Sequence, residues 1–175
     1  MIVLLAGGTG AGKTTLAQAL TEVWRSARVI DMDGYWRPEA EWAHQARWDD
    51  GPGCLEMDRL LRDVRQAERT AVLVIVEGVL ALCYGRLRRL ATLRVWLAVD
   101  DDVRLLQRLR RDVLELAWTD LPTALRQWET GDRPLHRGVV AASRDQADLV
   151  LDGARPPAEL AALVAATLAG QEAAG

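Results

Sequence analysis

Residues 2–16, Ile-Val-Leu-Leu-Ala-Gly-Gly-Thr-Gly-Ala-Gly-Lys-Thr-Thr-Leu, constrain this chain more than any other stretch. Ile2 to Ala6 is an apolar run that reads as a buried strand, and Thr14 onward reads as a helix. Between them the spacing Gly7-x-x-x-x-Gly12-Lys13-Thr14 is that of a phosphate-binding loop. Glycines let the backbone bend around an anion and turn its N–H groups inward. The start of the helix adds positive dipole potential. Within this loop, Gly7, Gly8, Thr9, Gly10, Ala11, Gly12, Lys13, Thr14 and Thr15 are the candidate nucleotide-binding residues. Lys13 supplies a full charge for the phosphates, and the Thr14 hydroxyl can ligate Mg²⁺. Lys13 is also the only lysine among 22 basic residues. A genome-wide bias toward arginine explains the other 21. It does not explain where the exception falls.

Elsewhere the chain alternates apolar runs with helical patterns. Strands are expected at 28–31, 71–76, 93–99 and 147–151. Helices are expected from Thr14 to about Arg25, from Glu56 to Glu68, within 79–90, after Asp100, from Leu121 to about Glu129, and after Pro156. Gly131-Asp132-Arg133-Pro134 reads as a turn, and 170–175 as a frayed end. Residues 39–54 lack clean periodicity and read as a short helix plus a loop. Such alternation predicts an α/β fold: a five-stranded parallel sheet with helices on both faces, in three layers. At 175 residues, one domain is expected. Ligands of such sheets sit beyond the carboxyl ends of the strands. Gly7–Lys13, Asp33 and Glu77 all follow strands, so they converge on one crevice.

A net charge of −3 supplies no global field for a nucleic-acid polymer or an anionic membrane. Cys54 and Cys83 lack metal-ligand spacing. They fit a reducing compartment, and with no basic leader ahead of the first strand a cytoplasmic protein is expected. The oligomeric state is left open, a homo-oligomer included.

Four groups of residues can carry chemistry. Asp33 lies two residues past the second strand, where a carboxylate could orient an acceptor hydroxyl; the plainer alternative is a turn-forming Asp. Glu77 ends a fully apolar strand, where it could serve a metal or be a simple strand-end acid. Arg104, Arg108, Arg110 and Arg111 crowd one helix. They form either a solvated face or, for one or two of them, a cationic cover for transferring phosphate. On that helix Val103, Leu106, Leu109, Val113 and Leu116 form a separate apolar stripe. Tyr35, Trp36, Trp42 and Trp48 could fill a core or wall a flat substrate ring. His44 and His136 have no catalytic partner pattern around them.

In order, these segments resemble the uridine kinase and nicotinamide riboside kinase branch of the P-loop kinases. The loop Gly7–Thr15 is similar to the family's loop, and Asp33-Gly34-Tyr35-Trp36-Arg37-Pro38-Glu39 to its Asp-x-aromatic-aromatic segment. Trp48-Asp49 resembles the aromatic-Asp step, and Val74-Ile75-Val76-Glu77-Gly78 the strand-Glu-Gly step. Arg108-Leu109-Arg110-Arg111-Asp112-Val113 resembles the lid helix. Arg133-Pro134-Leu135-His136 and Ala147-Asp148-Leu149-Val150 are similar to the closing region. The resemblance implies a P-loop NTPase fold with a small helical lid, about 104–135, and an ATP- and Mg²⁺-dependent kinase acting on a hydroxyl of a small metabolite. A nucleoside or riboside is the implied acceptor. Asp33 would be the base, with Lys13 and Arg111 on the phosphates and Thr14 and Glu77 serving Mg²⁺. Asp49 would hold ribose hydroxyls, with Tyr35, Trp36 and Arg108 on the acceptor side. Two departures stand out. Leu116 and Trp118 replace lid arginines, and almost nothing separates Arg69 from Val72, where uridine kinases carry a base-reading hairpin. The second departure points toward a same-fold kinase with a non-nucleoside acceptor, such as pantothenate, a sugar or an antibiotic. A nucleotide-dependent regulatory ATPase is the rival of another class. A GTPase is excluded, because the chain has neither Asn nor a second Lys for the guanine-reading motif.

Overall fold

The computed structural model describes residues 1–38 and 53–174. Trp42, His44, Trp48 and Asp49 lie outside the described residues, as does most of the expected 39–54 helix and loop. Five strands form one parallel sheet: β1 (Ile2–Ala6), β2 (Ala27–Asp31), β3 (Leu73–Glu77), β4 (Leu93–Ala98) and β5 (Leu149–Asp152), in the order β2-β3-β1-β4-β5. Each crossover carries helical structure. The helices are α1 (Lys13–Val23), α2 (Met57–Glu68), α3 (Gly85–Arg88), α4 (Asp101–Leu109), α5 (Leu121–Gln127), α6 (Arg133–Leu135) and α7 (Pro157–Ala174).

Alternation along the strands divides the core into two layers. Ile2, Leu4, Val74, Val76 and Trp96 face α2, which buries Leu60, Leu61 and Val64. Val3, Leu5, Ile75, Val95 and Leu97 face α1 and α7, which bury Leu16, Leu20, Leu160, Val164 and Leu168. The central strands are apolar on both sides because both faces are covered. Each fully buried leucine or valine contributes roughly 1.5–3 kcal/mol of transfer free energy.

The short helix expected within 79–90 is Gly85–Arg88. Other sequence expectations are corrected. The Gly131–Pro134 turn is instead wound into a helical stretch spanning 121–146, through π-type turns at Trp128–Asp132 and His136–Val140. Pro134 has no N–H to donate, so the continuous helical run lacks one backbone bond at that position. The C-terminal helix does not fray at Gly170 but runs to Ala174, in agreement with its alanine-rich composition. The apolar stripe of α4 faces outward: Leu106 is 66% exposed, whereas Arg104 is 2% exposed. α4 lies over a polar loop rather than over the core, and its arginines take the inner face.

Candidate active site

Strand register assembles the site. Leu5 pairs with Glu77, and Glu77 pairs with Asp31. The phosphate loop, Glu77 and the approach to Asp33 therefore leave the sheet side by side. Past β1, Gly10 adopts φ +82°, a left-handed conformation that favours glycine. A Cβ there would fall against the Arg104 carbonyl, and one at Gly8 would fall inside the Arg104 guanidinium. This loop has no room for side chains at those two positions because the first turn of α4 is pressed onto it. Gly12 then caps α1, whose first residue is Lys13.

Lys13 is buried, and its Nζ donates to the Gly8 carbonyl at 3.2 Å. Burial lowers its pKa from the ordinary lysine value; Glu77 and Asp33 oppose the drop, and Arg111 and Arg104 add to it. Two carboxylates and two guanidiniums thus sit within electrostatic reach of the one lysine. Glu77 is itself 3% exposed. Burial raises its pKa, against a hydrogen bond from the Thr14 hydroxyl and the charge of Lys13. Thr14 and Glu77 present two hard oxygen donors side by side. Among the described residues no group of three His, Cys, Asp or Glu could cage a metal ion. Mg²⁺ keeps most of its waters and takes phosphate oxygens, so a two-donor site fits it.

Asp33 lies exposed on the single 3₁₀ turn Met32–Tyr35. Its backbone N–H is held by the Asp31 carboxylate at 2.9 Å, and its own Oδ1 accepts from Trp36 Nε1 at 3.2 Å. That turn separates the two neighbouring aromatics. Tyr35 points into the core, its hydroxyl donating to Asp63 at 2.7 Å and Arg59 lying 4.7 Å from its ring centroid. Burial and the Asp63 bond push its pKa up to about 12. Tyr35 is thus part of the packing under the site, and Trp36 is the ring beside Asp33.

The arginines of α4 and of the π-type turn that continues it, Arg110–Glu115, divide by role. Arg104 donates to the carbonyls of Thr9 and Val99 at 3.2 Å each, pairs with Asp101 at 2.5 Å, and lies 5.3 Å from the Trp128 ring centroid. Arg108 is buried among Asp112, Gln127 and Asp132. Arg111 is half exposed, paired with Asp112 at 2.6 Å and 6.0 Å from the ring of Trp118. Arg110 is turned away and pairs with Glu115 at 2.8 Å. Ala117, between Leu116 and Trp118, has φ +48°, the one non-glycine with positive φ among the described residues.

Sequence reasoning missed a cleft of about 600 Å³ beside the loop, lined among others by Gly8, Val99, Val103, Arg104, His136 and Asp152. His136 stacks on Trp96 at 6.3 Å, and its Nδ1 is buried without a hydrogen-bond partner. Burial, then Arg104, lowers its pKa. The only sequence signal was position: Val99, Val103 and Arg104 follow β4 and Asp152 ends β5, at the same end of the sheet as the loop, whereas His136 carried no such signal.

A parallel sheet with a glycine loop, buried lysine and strand-end carboxylates defines the class: a three-layer P-loop kinase. The sequence signature of the phosphoribulokinase/uridine kinase family matches residues 56–155. A uridine kinase of Halobacterium salinarum is 31% identical over 84% of this chain and 77% of its own length. One from Chlamydia pneumoniae is 26% identical over 87% and 82%. The chain belongs to the phosphoribulokinase/uridine kinase family and is an ATP-dependent small-molecule kinase. Solved structures agree on the fold. A Silicibacter kinase provisionally assigned to a fructose transport system superposes with TM-score 0.67 at 18% identity, covering 86% of this chain and 89% of that one. Shikimate kinase from Acinetobacter baumannii gives 0.58 at 18% identity, covering 97% and 93%. No described helix is long and apolar enough to cross a membrane.

Proposed function

We propose that the enzyme transfers the γ-phosphate of ATP to a hydroxyl of a small metabolite, a nucleoside or riboside first among the candidates. One observation carries this reading: Lys13, Thr14, Glu77 and Asp33 meet at adjacent strand ends, within a single electrostatic neighbourhood. The residues Gly7–Thr15 would hold the phosphates, and the cleft beside Val103 and His136 would receive the nucleotide base. Mg²⁺ at Thr14 and Glu77 would offset phosphate charge. Asp33, exposed at the crevice and steadied by Asp31 and Trp36, would orient the acceptor hydroxyl and take its proton. Lys13 and Arg111 would stabilise the transferring group. Trp36 and, in the segment outside the described residues, Asp49 would contact the acceptor. The lid is assigned to about 104–135, within a single domain.

Lys13→Ala should abolish transfer, a loss of more than about 100-fold, with the far-UV spectrum unchanged. Asp33→Asn should cut turnover sharply and leave ATP affinity near that of the parent enzyme. Unchanged turnover would remove Asp33 from the mechanism.

A second acceptor class is favoured by the connection between α2 and β3. It consists only of the residues between Glu68 and Leu73, too few for a base-reading hairpin. Acceptors that lack a pyrimidine, such as pantothenate or a sugar, therefore belong in the screen. ADP release measured across nucleosides, ribosides and these compounds decides between them.

A further inference from the structure

Besides the close packing of Arg104 on Gly8 and Gly10, the lid hydrogen-bonds the phosphate loop at Thr9. Its carbonyl accepts from Arg104, and its hydroxyl donates to Asp132 Oδ1 at 3.0 Å. The other oxygen of Asp132 pairs with Arg108. Arg108 also faces Asp112, at 3.2 Å, and Asp112 is shared with Arg111. Two guanidiniums are therefore balanced by two carboxylates. In this arrangement the Arg108–Arg111 pair offers incoming phosphate no net positive charge, although such charge is what a lid contributes to phosphoryl transfer. The donors that hold Asp132, a loop hydroxyl and a lid guanidinium, are also those a phosphate oxygen would use. Asp132 ends the π-type turn Trp128–Asp132 and is preceded by Gly131. The turn is held by i→i+5 bonding, as from the Arg133 N–H to the Trp128 carbonyl, a winding that occurs frequently at functional sites.

We propose that Asp132 is a positioning residue that occupies the lid's phosphate-binding groups while the loop is empty, and that a nucleotide's terminal phosphates must displace it. Displacement frees Arg108 and the Thr9 hydroxyl, and leaves the lid with one unit of net positive charge facing the phosphates. Affinity for polyphosphate is thereby weakened, and lid engagement is tied to the arrival of anion rather than of the base. The inference rests on the reading of Gly7–Thr15 as the phosphate site.

The test is calorimetric binding of Mg·ATP and of adenosine to the parent and to Asp132→Asn, which removes the charge and keeps the shape. Asp132→Asn should bind Mg·ATP about tenfold more tightly, with adenosine affinity unchanged. Asp132→Glu, which keeps the charge, should retain the parent's affinity within about twofold. If Asp132→Asn does not fold, Asp132→Ser carries the same expectation. Weaker or unchanged ATP binding in the neutral variants would overturn the proposal. So would an equal gain for adenosine, which would mark a merely structural change. A parent enzyme that binds no ATP would overturn both this inference and the phosphate-site reading, whereas a parent that binds ATP without gain in the variants would overturn this inference alone.

Discussion

Single residues at the loop carry specific steric demands. Gly10 combines a left-handed backbone with an approach of the Arg104 carbonyl that admits no Cβ. Gly10→Ala therefore has to distort the loop or lift α4. We expect a loss of about 1–3 kcal/mol in urea denaturation, together with weakened nucleotide binding in calorimetry. The strand-end placement of Lys13, Asp33 and Glu77 was legible in the sequence: the loop of Lys13 follows, and Glu77 ends, a fully buried apolar strand, whereas Asp33 follows the half-exposed β2, where position alone also allowed a turn-forming Asp. Other residues were not legible. Tyr35 and Trp36 are adjacent in sequence but diverge by a 3₁₀ turn, one ring to the core and the other to Asp33. Asp132 stood in what reads as a turn, and its partners Thr9 and Arg108 are distant in sequence.

At the level of elements, periodicity revealed two stripes on α4 but not which one faces inward. The usual rule sends leucine in and arginine out. Here the surface beneath the helix is the phosphate loop, whose carbonyls and carboxylate partners suit guanidinium. Strand pairing shows the opposite situation, where local chemistry suffices. Asp148, just before β5, accepts from the Arg94 side chain at 2.9 and 2.5 Å and from the Arg94 backbone N–H at 2.9 Å. The Arg94 hydrogen bonds hold its carboxyl below the usual carboxylate range, despite opposing burial. A depressed pKa means that the stabilisation is present above the unfolded value and is lost as pH falls through the folded one. Asp148→Asn should lose about 1 kcal/mol at pH 7, after allowance for solvent screening at a site one-third exposed. The deficit should persist down to about pH 5 and close as pH drops below about 4, where unfolded aspartate is protonated. Urea titrations of both proteins across that range check it.

For the molecule as a whole, sheet, helices and element order were readable in advance because α/β alternation leaves few topologies open. The exceptions lie in the helical return from α4 to β5, where proline and glycine composition was overridden by packing over the site. That return packs onto the sheet: Val140 joins the core on the α2 face, and His136 stacks on Trp96. The return from α4 to β5 is thus tied to the same core as the strands, and we expect one cooperative unfolding transition. Scanning calorimetry should give equal calorimetric and van't Hoff enthalpies. A separate low-temperature transition would show that this return melts by itself.

Lys13 carries the sole ε-amine of the polypeptide, and the fold seals it beneath the loop with its nitrogen on the Gly8 carbonyl. Acylating reagents directed at primary amines on side chains consequently have one address in this protein. Intact-mass spectrometry of a labelled sample would report how often that seal opens, and how far a bound nucleotide shields it, without any engineered probe.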